Sequence, residues 1–155
     1  MSPDPVPITR AGSPPRDAVD PTDAPARGWV AGWLAVAAFA VANGGLRERA
    51  LVPRFGEARA QRQSTGMLIG AVWAAAVTLG TARPLPNRAW AARVGAGWAA
   101  ATVAFELGLG LLRRRPLAEL VAAYDVRAGR PWALVPVTMA IAPVVAGLGT
   151  RRRAA

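Results

Sequence analysis

The chemistry open to this chain turns on Glu106. It sits inside Val94–Leu112, VGAGWAAATVAFELGLGLL, an apolar run long enough to cross a bilayer. A carboxylate near the midplane costs about 2.5–3.5 kcal/mol on insertion scales, so it calls for a partner or a purpose. The reactive groups around it are few. The chain has no Cys and no His. Disulfides, thiolate metal sites and Cys nucleophiles are therefore excluded, and so are the commonest metal ligand and the usual general base near neutral pH. Arg, Asp, Glu, Tyr and hydroxyls remain. The expectation is a protein that is not an enzyme and carries no cofactor or metal.

Helical spacing says where Glu106 points. Gly95, Ala99, Thr102, Glu106, Gly110 and Arg113 fall on one stripe at steps of three and four. Small residues let membrane helices approach closely, so this stripe should face a bundle interior. Trp98, Phe105 and Leu112 lie beside it, in positions suited to lipid or bulky packing. Glu106 is seven residues from Arg113, roughly 10 Å of helix, and Asn43 and Arg47 lie at a similar level on an earlier run. One polar cluster is expected: Glu106, Arg47 and Asn43, joined by Arg113, Tyr124 or Arg130, with Arg47–Glu106 as the simplest pair. Two roles fit it. The cluster can be a structural lock that fixes helix order. Alternatively, Glu106 is the proton- or cation-coupling carboxylate of a small dimeric transporter.

The elements that must hold this cluster are apolar runs. Hydrophobic residues make up 53% of the 155 residues, with a mean hydropathy of +0.25. That is more apolar than a soluble domain usually is. Four spans are predicted, over 28–46, 64–82, 94–112 and 131–149, giving an all-α integral membrane protein with an antiparallel four-helix bundle. Met1–Arg27, with seven prolines and four aspartates, reads as a disordered tail, and the first span as a retained anchor. Arg47–Gln63 is a polar link broken at Pro53 and Gly56, with a short surface helix over Gly56–Gln63 and Ser64 as the cap of span two. Pro84, Pro86 and Asn87 make a tight turn. Leu117, Leu120, Val121 and Tyr124 recur at helical spacing, so an amphipathic interfacial helix is expected in that loop. Pro131 opens the last span, and Pro136 and Pro143 should kink it. The tryptophans, mostly near span ends, read as interfacial anchors. A basic tail covers 150–155.

All 19 basic residues are Arg, and the net charge is +10. They flank the apolar runs rather than lining one face of a soluble fold, so membrane flanks are expected and nucleic acid is not. Arg113, Arg114, Arg115, Arg151, Arg152 and Arg153 are placed to meet anionic lipid headgroups, apart from serving as flanks. Nine arginines fall on one side of a four-span arrangement and ten on the other, so charge does not set orientation. The GxxxG pairs Gly28/Gly32 and Gly66/Gly70 offer faces for a homodimer or for packing within the chain.

Two stretches resemble a known pattern. Asn43–Pro53 reads NGGLRERALVP, and a second set runs from Phe105-Glu106 through Tyr124-Asp125 to Gly129-Arg130-Pro131-Trp132. Together they resemble a group of small bacterial four-span integral membrane proteins. That group carries N-G-x-x-R-E after span one, F-E in span three and G-R-x-W before span four. Asn43, Arg47, Glu48, Phe105, Glu106, Tyr124, Gly129, Arg130 and Trp132 match it. The group has an acidic residue before the tyrosine, where this chain has Ala123. The resemblance implies the four-span fold and no particular activity, and the chain is expected in the plasma membrane of a bacterium.

Overall fold

The computed structural model describes residues 23–125, 127 and 131–152. All regular elements among them are helical, with no strand. Helix α1 (Asp23–Leu46) runs without interruption into a π-helical turn, Arg47–Leu51, and then α2 (Val52–Phe55). Next come α3 (Glu57–Ala82), α4 (Arg88–Leu112), the short α5 (Leu117–Ala122), a 3₁₀ turn at Pro131–Ala133, and α6 (Leu134–Arg152). The stretches Ala26–Phe55, Glu57–Ala82 and Arg88–Leu112 are each long and apolar enough to cross a membrane; Pro131–Ala146 is a shorter apolar helix.

The helix boundaries differ from the sequence expectation at several points, each with a local cause. Helix α1 starts at Asp23, inside the expected tail, because a proline such as Pro25 is tolerated in a first turn. Residues 1–22 of that tail lie outside the described residues. The Arg47–Gln63 link is not a loop. Pro53 lies in the first turn of α2 without interrupting the helix, so only Gly56 breaks the chain, with φ of 75°. Helix α3 restarts at once at Glu57. Ser64 is therefore a buried residue inside α3 rather than its cap. Asn87 does cap α4, its side chain accepting from the Trp90 N–H at 2.9 Å. Pro136 lies in the first turn of α6 and only Pro143 is interior, buried, with the helix continuing past it.

The helices form a ring. Helix α6 packs most extensively on α4 and then on α3, α1 packs on α3, and the α1–α4 seam is the loosest. Glycine sets the tightest contacts. A Cβ on Gly95 would meet the backbone carbonyl of Ala140, and one on Gly80 would lie 3.1 Å from the Ala146 Cβ. Two tryptophans fill the core instead of anchoring at the ends: Trp29 is 1% exposed and Trp98 4%. Their rings lie 5.7 Å apart, Trp98 Nε1 donates to the Trp29 carbonyl at 3.0 Å, and Trp29 Nε1 donates to the Arg83 carbonyl at 3.1 Å. An indole buried this way has its polar edge satisfied, which an apolar core requires.

Candidate functional site

Glu106 lies on the inner stripe of α4, and two elements bring donors to it. The end of α4 supplies the first. Arg115 N–H bonds the Gly110 carbonyl and Arg114 N–H the Leu111 carbonyl, with Arg114 at φ 57°. This is a Schellman closure with arginine in the left-handed position usually held by glycine. It turns the chain back, so that α5 lies against α4 with Leu120 over Gly110. Tyr124 then reaches Glu106, its hydroxyl donating to Oε2 at 2.8 Å. The 3₁₀ turn before α6 supplies the second donor: Trp132 Nε1 donates to the same oxygen at 2.5 Å. One carboxylate oxygen thus joins α4 to the α5 connector and to the start of α6.

The expected Arg47–Glu106 pair does not form. Arg47 donates through Nη1 to Gln61 Oε1 and lies 3.5 Å from Glu48. The π-helical turn at Arg47 sets the guanidinium against the first turns of α3 instead. Among the described residues Glu106 has no cationic partner; its Oε2 accepts from two neutral donors. Asn43 is buried against α3, with Nδ2 donating to the Ser64 carbonyl at 2.8 Å and to Ser64 Oγ at 2.9 Å. Arg113 is exposed at the end of α4. Arg130, Gly129 and Arg153 lie outside the described residues. Two polar atoms in this region are buried without a hydrogen-bond partner: Asn43 Oδ1 and Arg47 Nε. An unsatisfied buried group typically costs about 1–3 kcal/mol.

Two adjoining cavities connect the dispersed residues. One, of about 690 Å³, runs along the α1–α4 seam from Trp33 to Arg47 and Arg113. The other, of about 530 Å³, lies between α1, α3, α4 and the α5 connector, with Asn43, Arg47 and Tyr124 in its wall. Glu106 and Trp132 line both. At its closed end the seam is held by Trp33, whose Nε1 donates to Thr102 Oγ1 at 3.0 Å and whose ring meets Phe105 edge-on. Asn43, Arg47, Glu106, Arg113 and Tyr124 therefore share one space, though only Glu106 and Tyr124 of that set bond each other.

The clamp has a spectroscopic handle. Burial, the hydrogen bond to Glu106 and the negative charge of that carboxylate all push the Tyr124 phenol well above its ordinary value. It is the only tyrosine in the chain, so tyrosinate absorbance reads it alone. The phenol should remain neutral well past pH 10, and Glu106→Gln should move its midpoint back down. The sign for stability follows: this contribution is full below about pH 10, where the unfolded phenol begins to ionise, and is lost as pH rises above it.

No cluster of three or more Asp or Glu side chains among the described residues could hold a metal. Sequence reasoning about charge and depth missed Trp132 as a partner of Glu106 and Gln61 as a partner of Arg47. The G-R-x-W pattern contained Trp132, and that was the one signal for it. Comparison with protein-family models, curated proteins and solved structures finds no match to this chain.

Proposed function

We propose that this protein is a non-enzymatic, four-span integral membrane protein of a bacterial plasma membrane, and that Glu106 is a structural clamp in it. The observation that carries the reading is the convergence of Tyr124 and Trp132 on Glu106 Oε2. A carboxylate held by two neutral donors ties three elements together where the helices end, and it needs no substrate to account for it. Three long apolar helices and a shorter fourth support the spans, with α6 as the fourth crossing. The resemblance of Asn43–Pro53 and Phe105–Trp132 to small bacterial membrane proteins supports the compartment. The arginines at Arg113–Arg115 and Arg151–Arg153 would meet anionic headgroups at opposite faces.

The chain has no Cys, so single introduced cysteines map its topology unambiguously. Arg59→Cys and Ala118→Cys should react with a membrane-impermeant maleimide from one side. Arg88→Cys and a cysteine appended after Ala155 should react from the other. If the appended cysteine labels together with Ala118→Cys, α6 does not cross and the four-span reading is wrong.

A second reading has its own support, because Glu106 also lines both cavities. In it the protein is a small transporter, a homodimer meeting through the Gly66/Gly70 face, around which a Cβ would find open space. Gly28 and Gly32 are unsuited to that role, since they lie against Arg83 and Leu79 of the same chain. Proteoliposomes separate the readings. The clamp expects no proton- or cation-driven flux above empty vesicles, whereas a flux that Glu106→Gln abolishes would make Glu106 a coupling carboxylate.

A further inference from the structure

We infer that the seam between α1 and α4 is a binding site for one phospholipid whose headgroup joins a phosphate to a primary ammonium. The inference rests on the membrane reading above, and it shares Glu106 with the clamp.

The seam is shaped for an amphiphile. Towards Trp29 and Trp98 the two helices are in ring contact, but past Trp33 and Phe105 they part, and a cleft of about 690 Å³ opens between them. Small residues on α1 leave this room: Ala37, Ala40, Gly44 and Gly45 line it, and a Cβ on either glycine meets nothing within 4 Å. From Trp33 to Arg47 the cleft follows about 20 Å of helix, a substantial part of a hydrocarbon core of roughly 30 Å. Its lower wall is apolar, with Val41, Phe105 and Leu109. Towards the helix ends the cleft carries Arg47, Arg49, Arg113 and Glu48, and Glu106 lies deeper, beside Phe105.

That mixture selects the headgroup. Guanidinium groups suit a phosphate, which accepts hydrogen bonds and carries negative charge. Glu106 suits a group that donates and is positive. A primary ammonium has three N–H donors. A quaternary ammonium has none, and a glycerol headgroup has no positive charge. The unpartnered Arg47 Nε is the matching donor on the phosphate side.

The test uses the full-length protein, delipidated in detergent and titrated with phosphatidylethanolamine, phosphatidylcholine and phosphatidylglycerol of equal chain composition, read by native mass spectrometry. One phosphatidylethanolamine per chain should bind about tenfold more tightly than either competitor. Gly44→Leu places a side chain into open space of the cleft and should weaken that binding about tenfold while leaving the melting temperature unchanged. Glu106→Gln keeps an acceptor for Tyr124 and Trp132, so the bundle should persist while the preference over phosphatidylcholine disappears. Equal binding of the three lipids, tighter binding of phosphatidylglycerol, or binding untouched by Gly44→Leu would overturn the inference. Topology labelling is read separately, so a failed lipid preference in a correctly inserted protein counts against the lipid site alone.

Discussion

Gly95→Ala is expected to destabilise the folded protein by about 1–3 kcal/mol, and Gly95→Leu to keep the bundle from closing. The cause is backbone against backbone. A Cβ at this position would meet the carbonyl of Ala140, which is held inside α6 and cannot rotate away as a side chain could. Helices α4 and α6 share the largest interface in the ring, so separating them there disturbs the whole assembly. Two other glycines calibrate the effect. A Cβ on Gly97 meets nothing within 4 Å, so Gly97→Ala should be neutral or gain up to the roughly 0.5–1 kcal/mol that glycine costs inside a helix. At Gly32 the obstacle is the tip of the Leu79 side chain, a flexible group rather than backbone. Melting temperatures in detergent should therefore fall in the order Gly97→Ala, Gly32→Ala, Gly95→Ala. A Gly95→Ala variant as stable as Gly97→Ala would show that α4 and α6 are not in backbone contact.

Much of the helical framework was legible because length and hydropathy report on it directly. The runs around Gly28–Leu46, Ser64–Ala82 and Val94–Leu112 became α1, α3 and α4, and Asn87 capped α4 as its chemistry requires. The inner stripe of α4 was legible too, since Gly95, Thr102 and Gly110 are all buried. What hydropathy does not report is that a polar stretch can be helical. Glu57–Gln63 joins α3 because Gly56 alone interrupts the helix, and the following residues have no proline to stop it. The tryptophans misled for a related reason. Proximity to a run end suggests an anchor, but Trp29 and Trp98 turn inward, and each finds a backbone carbonyl for its N–H.

The site was half legible. Depth brought Asn43, Arg47, Glu106 and Arg113 to one end correctly, because rise per residue fixes level along a helix. Azimuth and the path of connectors decide who bonds whom, and these are tertiary. Arg47 turned to Gln61 through a π-helical turn that no spacing announces. Tyr124 reached Glu106 because Arg114 adopts a left-handed conformation that folds the chain back over Gly110, and Trp132 came from the 3₁₀ turn that opens the last helix. A search for opposite charges looks past both of them, since each is a neutral donor.

The replacement of Glu106 by leucine is expected to cost about 2–4 kcal/mol, while Glu106→Gln should stay within about 1 kcal/mol of the parent. Leucine strands the Tyr124 hydroxyl and the Trp132 N–H, both partly buried, and each stranded donor loses its acceptor without replacement. Glutamine keeps an oxygen at the same place. Losing the charge weakens both bonds, but it also removes the cost of a carboxylate inside an apolar span. The ordering is diagnostic, because leucine is the more apolar residue. If Glu106 mattered only through the cost of inserting a charge, Glu106→Leu would be the most stable of the three. If it is a clamp, Glu106→Leu is the least stable, and adding Tyr124→Phe should recover part of the loss by removing one stranded donor. Thermal unfolding of the parent, the two single variants and the Glu106→Leu/Tyr124→Phe pair in nanodiscs reads all of this at neutral pH. A stable leucine variant would take away the structural reason for the carboxylate, and Glu106 would then have to be explained by what enters the cavities it lines.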